Sequence, residues 1–398
     1  MSEDVAIIGI GLHPFGRHDD LSGRAQGAQA LRAALRDAGI SWDQVDIAYG
    51  GSHEAGNADA LCNDLGLTGL PFINVANGCA TGGSAISSAV AAIRAGMAEV
   101  AVAVGFDKHP RGAFNPHPRD WGLPDWYGET GLMLTTQFFA LKTRRYLHEH
   151  GIGEDALVRV AERAYRNGAI NPNAWRRRAM TFEEIAESAP VNLPLRQYMF
   201  CNPAEGGAAL VLCRASAAKR WCETPVLVKA AVVRTRHHGS FEVFSPALAA
   251  EQAPAPTVTA SRAAFEQAGV GPRDIDVIQV QDTDTGSEII HLAENGFCEH
   301  GEQERLLRDG RADVALLHRP FDATTGFDTE ELHTEGQVAV LPAGHPLTAR
   351  AQLRMADVTA VPDLPLPRWP DRDGACRDGH LVCRHEGKPV DRAIPGRT

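Results

Sequence analysis

Short apolar runs alternate with helix-period segments through the first hundred residues, and this alternation constrains the fold more than any other feature. Residues 5–11 (VAIIGIG) form an apolar run that ends in glycine and reads as a buried strand. Residues 25–38 (AQGAQALRAALRDA) carry helical periodicity and stop at Gly39. Residues 45–49 and 72–76 read as further strands, and NGCATGG follows the second of them. An Ala/Ser-rich helix is predicted over 84–95, closed by Gly96, and VAVAV at 100–104 gives a fourth strand. Strands and helices in this order imply an α/β chain with a layered, mostly parallel sheet.

Residues 108–130 interrupt the pattern. They are rich in Pro, Gly and aromatics and read as a long ordered loop, a kind of segment that often carries function. Helices are predicted over 131–149, 154–167 and 181–188, and a strand over 208–212. A second series starts at Val226, with helices over 257–268, 287–293 and 303–308 and a strand over 276–280. Its order echoes the first series and suggests a duplicated αβ unit. The expected domains are therefore 1–225 and 226–309. Past residue 310 the style changes to a short α/β segment over 310–362, and a Pro/Asp/Arg-dense tail over 363–398 is expected to be irregular.

The net charge of −11 gives no electrostatic reason to expect nucleic-acid binding. No apolar run approaches the roughly 18 residues of a membrane span. The opening MSEDVAIIGIG lacks the basic start of a signal peptide, which predicts a cytoplasmic location. The eight cysteines include no CxxC pair, so a zinc ribbon is not expected; each is read as a free thiol, most of them buried.

Cys79 is the candidate nucleophile. A strand delivers the chain to a tight turn, and the cysteine stands at or near a helix start. There the free N–H groups and the helix dipole favour a thiolate and can hold an oxyanion. Gly78, Gly82 and Gly83 permit the turn and a close approach of substrate. On the residues alone, a small buried structural cysteine is the competing reading.

ANGCATGGSAISSAVAAIRAGMAEVAVAVG resembles the nucleophile segment of thiolases, in the sterol carrier protein x-type and lipid-transfer branch. VAIIGIGLHPFGR and YMFCNPAEGGAALVL resemble the same branch, so the likeness covers about residues 4–308. It implies the layered thiolase fold, a homodimer, and acyl-CoA as substrate with no bound cofactor. It also implies that Cys79 carries the acyl group and that backbone N–H groups near Cys79 and Gly207 hold the oxyanion. Gly78, Gly206, Gly207 and Trp126 are the expected substrate contacts.

Two departures stand out. Where relatives carry a histidine in an Asn-Glu-His or His-Asp-Cys type segment, this chain has Gln281 followed by Asp282. A glutamine amide can donate a hydrogen bond to an oxyanion but carries no charge. The Gly-His-Pro that holds the activating histidine is matched in letters by Gly344-His345-Pro346. Its surroundings, ADVALLHRPFD and LHTEGQVAVLPAGHPLTARAQLRMADV, instead resemble the effector-binding domain of LysR-type regulators over about 311–370. His345 is thus read chiefly as a turn residue and secondarily as a base. Beside acyl transfer through Cys79, the resemblance leaves two alternatives: retro-aldol cleavage of a steroid side-chain acyl-CoA with an OB-fold partner, and a non-catalytic CoA-ester-binding subunit. His53, His109 and His117 read as loop histidines, Arg176–Arg178 as a solvated helix end, and Asp282, Asp284 and Glu288 as a capped helix start rather than a metal site.

Overall fold

β1 (Val5–Gly16) opens the chain and α1 (Gly23–Ala38) follows it. Ser22 caps α1 by accepting the Ala25 N–H at 3.1 Å, and Gly39 ends it in the left-handed region at φ 66°. Next come β2 (Ile47–Gly51), α2 (Cys62–Leu65), β3 (Phe72–Asn74), α3 (Thr81–Arg94) and β4 (Val100–Lys108). The middle of the chain holds α4 (Trp126–Glu129), α5 (Thr135–His150), α6 (Asp155–Ile170), α7 (Phe182–Ala186) and the small hairpin β5 (Pro190–Asn192) with β6 (Leu195–Arg196). β7 (Glu205–Arg214), β8 (Val226–Val228), α8 (Pro256–Ala268), α9 (Thr285–Glu294) and α10 (Gln303–Arg308) complete the series. This computed structural model describes residues 4–110, 117–202, 204–237 and 253–308, together with short strands at 317–318, 330–331, 337–339, 383–385 and 388–390.

Six strands form one sheet in the order β3-β2-β4-β7-β1-β8. β2 pairs parallel with β3 and β4, but β4 with β7, β7 with β1, and β1 with β8 pair antiparallel. The mostly parallel sheet expected from the sequence is therefore mixed. Strand periodicity reports a strand's faces, not its neighbour's direction. Those faces are clear. Val100, Val102 and Val104 of β4 join α1 in one core, while Ala101 and Ala103 join α3 in the other. Helix, sheet and helix thus form three layers.

α1 lies unusually close to β1. A Cβ at Gly11 would fall 2.1 Å from the Ala30 carbonyl oxygen, and one at Gly9 would fall 2.4 Å from that of Ala34. Only hydrogen fits between the helix backbone and the strand.

The second series differs from expectation in two places. β8 does not begin a new sheet; it is the edge strand beside the start of β1. Residues 276–280 form no strand. The chain divides into two compact units, Met1–Asp274 with Val280–Glu304, and Ile275–Gln279 with Arg305–Thr398. In the second, Gln337–Ala339 pairs antiparallel with both Leu317–His318 and Glu330–Glu331, and Cys383–His385 pairs with Lys388–Val390. The last pair lies in a stretch expected to be irregular. His345 and most of the regulator-like segment fall outside the described residues. Among the described residues, no helix is long and apolar enough to cross a membrane.

Gly11→Ala is expected to lower the stability of the first unit by about 2–3 kcal/mol, since backbone must move to admit the methyl. Urea denaturation of full-length wild type and variant checks this. An unchanged midpoint would mean that α1 does not sit against β1 as described.

Candidate functional site

The site starts at the end of β3. The Val75 N–H donates to Gly50 O at 2.7 Å, carrying the chain alongside β2 for one more residue before it turns. A Cβ on Gly51 would meet Val75 O at 2.2 Å and Thr81 Cγ2 at 2.3 Å, so glycine at the end of β2 lets the turn lie against it. Gly78–Ala80 form one turn of 3-10 helix that runs into α3. Gly78 has φ 53°, a conformation that favours glycine. Thr81 ties the turn, accepting the Asn77 N–H at 2.9 Å and donating to Gly78 O at 2.7 Å. The Asn77 amide donates to Ser84 Oγ at 2.8 Å. Cys79 sits inside this fastened turn and is exposed. Among the described residues, no atom outside α3's own backbone and the chain neighbours lies within 4 Å of where a Cβ on Gly82 or Gly83 would be.

The cysteines differ from expectation as a set. Of the six described, all are free, but only Cys213 is buried; Cys79 and Cys201 are exposed.

Cys201, in the YMFCNPAEGGAALVL segment, also comes to this edge. It lies just before β7. Because β7 runs antiparallel to β4, its start pairs with the end of β4, Glu205 opposite Lys108. The segment before β7 therefore emerges at the same sheet edge as the ends of β2, β3 and β4. There Phe200 bridges to Asp284, and the Cys201 N–H donates to Thr283 O at 2.9 Å. The Gln281–Asp284 segment is thereby fixed beside Cys201. The surrounding protein desolvates the Cys201 thiol, and Asp282, Asp284 and Cys79 add negative charge, pushing it up to about 11. The signal in the sequence was a cysteine four residues ahead of a strand.

The other candidates fall as follows. Gln281 is exposed and its amide donates to Thr283 Oγ1 at 3.0 Å; its backbone oxygen meets His291 Nδ1 at 3.1 Å. Asp282 is exposed. Asp284, 1% exposed, caps α9 by accepting from the Ser287 N–H at 3.0 Å and the Ser287 hydroxyl at 2.5 Å. Burial raises its pKa against those bonds, and burial lowers that of His291. Gly206 and Gly207 are buried in β7. A Cβ at Gly206 would strike the Phe15 ring at 2.6 Å, and one at Gly207 would crowd Gln26 and Gly27 of α1. Trp126 is half exposed and stacks on the buried Tyr127 with ring centroids 4.2 Å apart. His53 and His109 follow β2 and β4 at the same edge, 6.0 Å apart. Asp107 accepts the His53 N–H at 2.9 Å and meets His109 Nε2 at 3.2 Å. No group of His, Cys, Asp and Glu among the described residues has the arrangement of a metal site.

Glu205 anchors the start of β7. It is 3% exposed, takes the His18 N–H at 2.9 Å, and pairs with Arg17 and Lys108 at 3.2 Å each. Burial alone would raise its pKa, but these donors outweigh it and hold it at about 2.

The chain matches "Thiolase, N-terminal domain" over residues 5–185 and "Thiolase C-terminal domain-like" over 247–315. "LysR substrate binding domain" matches 297–387, overlapping the second of these. It is 30% identical to benzoylsuccinyl-CoA thiolase subunit BbsB of Thauera aromatica, over 78% of this chain and 80% of that one. It is 29% identical to an acetyl-CoA acetyltransferase of Methanothermobacter thermautotrophicus, over 89% and 90%. Sterol carrier protein 2 of Gallus gallus is 27% identical over 78% of this chain, which spans 59% of that protein. Among solved structures, an Ltp2–ChsH2(DUF35) aldolase superposes with TM-score 0.69 at 25% identity, covering 78% of this chain and 81% of that one. Human mitochondrial 3-ketoacyl-CoA thiolase shares the fold with TM-score 0.54 at 16% identity, covering 75% and 84%.

Glu205→Gln is expected to destabilise the fold by about 3 kcal/mol, because two cations lose their partner. The depressed pKa fixes the sign of the pH effect. The contribution is full above the ordinary carboxylate value of 4.5 and is lost as pH falls toward about 2. The gap between wild type and variant in denaturation should therefore be smaller at pH 3 than at pH 7; a constant gap would contradict the ion-pair assignment.

Proposed function

The chain belongs to the thiolase superfamily, in its sterol-carrier and lipid-transfer branch, and from that premise we propose that it carries acyl groups from acyl-CoA on the Cys79 thiol. The observation that carries this reading is the position of Cys79: exposed, in a one-turn 3-10 helix that leads into α3, with no described side chain within 4 Å of where a Cβ on Gly82 or Gly83 would be, chain neighbours aside. Attack of its thiolate on a thioester forms a new C–S bond and breaks the bond to CoA sulfur. Free N–H groups at the helix start are suited to the oxyanion formed on the way. Gln281, an uncharged amide, is the second donor in this proposal.

Gly206 and Gly207 are better suited to packing β7 under β1 and α1 than to touching substrate. Trp126 remains a candidate wall for the acyl chain. His345 takes no step in this mechanism. A homodimer through the exposed β3 edge is part of the reading, supported by the 44% exposure of Ile73 on that strand. A cytoplasmic location fits the free thiols.

A second reading is favoured by the superposition on an aldolase and by the absence of an imidazole at Gln281. In it, the protein cleaves the carbon–carbon bond of a hydroxylated side-chain acyl-CoA together with an OB-fold partner. A non-catalytic CoA-ester-binding role is the outcome if neither reaction occurs.

Brief treatment with acetyl-CoA, acetoacetyl-CoA or a steroid-type acyl-CoA, followed by intact-mass and peptide analysis, is expected to place one acyl group on Cys79. Iodoacetamide is expected to modify Cys79 at least about tenfold faster than the other cysteines, and acyl-CoA should protect it. Equal reactivity of the exposed thiols without protection, or saturable binding with no acylation, would overturn the acyl-transfer reading.

A further inference from the structure

A donor that meets a developing oxyanion must already stand in place when the charge forms. Gln281 holds that role in the acyl-transfer reading above, and the inference rests on that reading. The stretch that leads to it is open to solvent: Gln281 and Asp282 are exposed, as are most residues over 273–279. The chain rejoins the first unit at Val280, one residue earlier. The Gln281 amide gives one N–H to Thr283 Oγ1 and has the other for an oxyanion. Something rigid has to hold this exposed residue if its amide is to be aimed.

Helix α9 is rigid. Thr285–Ala293 are all buried, and Gly286 lies so close to α5 that a Cβ there would clash with Thr143. In the sequence His291 reads only as part of a helix over 287–293. In the structure its Nδ1 stands 3.1 Å from Gln281 O, ten residues back along the chain. A carbonyl oxygen only accepts, so Nδ1 carries the hydrogen. On the other side of the ring, Nε2 lies 3.8 Å from Glu294 Oε2, and the two side chains are 10% and 9% exposed. Lys142 of α5 and Asp284 at the start of α9 are the other charges that act on the ring. Burial holds His291 below the ordinary histidine value, so at neutral pH the ring is neutral and Nε2 is bare. A proton added at Nε2 would face Glu294 and leave the Nδ1 bond intact.

We propose that His291 is the positioning residue of this site: its imidazole ties the Gln281 backbone to the buried helix and so sets where the Gln281 amide points. The tie is the bond from Nδ1–H to Gln281 O, which fixes the peptide that follows Gln281. Thr283 Oγ1 then holds the side chain, and the Cys201 N–H on Thr283 O holds the segment beyond it. His291 touches no substrate and takes no proton from it; the chemistry stays with Cys79 and Gln281. Histidine suits the place because Nδ1 donates in the neutral ring and in the cation alike, so the tie survives a change of pH. Leucine would supply the bulk without the donor. Asparagine would put an N–H close to where Nδ1 stands.

The test uses the full chain and acetyl-CoA. The saturating rate of Cys79 acylation and the half-saturating acetyl-CoA concentration are measured for wild type, His291→Leu and His291→Asn. In His291→Leu the rate is expected to fall about tenfold or more, while half-saturation moves less than about threefold. His291→Asn is expected to recover to within about threefold of wild type. In a Gln281→Ala background, His291→Leu should lower the rate less than about twofold, because the group it positions is gone. Equal losses in the two backgrounds, or a loss that asparagine does not rescue, would overturn the proposal. The ring tautomer is read on wild type by nitrogen NMR at about pH 7. Hydrogen on Nδ1 is expected; hydrogen on Nε2 alone would overturn the contact, whether or not His291→Leu folds. Absence of acylation in wild type would overturn the acyl-transfer reading and the positioning role with it, and the tautomer separates that case from a missing contact.

Discussion

The antiparallel insertion of β7 between β4 and β1 is the constraint on which the rest of the unit depends. β1, β2, β3 and β4 end at one edge of the sheet, and β7 is the strand that starts there. Its ladders to both neighbours join the β3-β2-β4 parallel set to the N-terminal strand, so that one sheet carries helices on both faces. Because β7 starts at the edge where the others end, the segment before it is delivered to the Cys79 turn. The buried Glu205 fastens that start with a backbone N–H and two cations, linking β7 to residues 17, 18 and 108. A misplaced β7 would leave a buried carboxylate unpaired, which is expensive.

Glycines set the separations on which this arrangement relies. Gly9 and Gly11 let α1 approach β1 to backbone contact, and Gly51 lets the Cys79 turn lie against the end of β2. The first contact fixes a layer of the fold and the second fixes the Cys79 turn. Both contacts depend on the same physical device, a missing side chain where two backbones meet.

Two exposed thiols are placed by this geometry. Cys79 is on a turn that opens outward; Cys201 is on a segment held by hydrogen bonds to the Gln281–Asp284 stretch. That stretch continues into α9, whose first nine residues are all buried, so the segment is anchored to a rigid element. Desolvation by the surrounding protein and two carboxylates raise the Cys201 thiol to about 11, while Cys79 is exposed on its turn. Two exposed cysteines thus sit in different environments.

The sequence by itself determined the elements that depend on local periodicity and on local stop signals. Helix α1 and its end at Gly39, the strand at 100–104, the glycine turn around Cys79, and the helices over 135–150, 155–170 and 256–268 were all legible, because amphipathic spacing and glycine act within a few residues. The family was legible for the same reason, since its motifs are contiguous. Only the tertiary structure decided the direction of β7, the use of 226–228 as an edge strand of the first sheet, the packing role of Gly206 and Gly207, and the placement of Cys201 at the sheet edge where β2, β3 and β4 end. Each of these depends on contacts between residues far apart in the chain, and hydrophobic period specifies which face of an element is buried without specifying what lies against it.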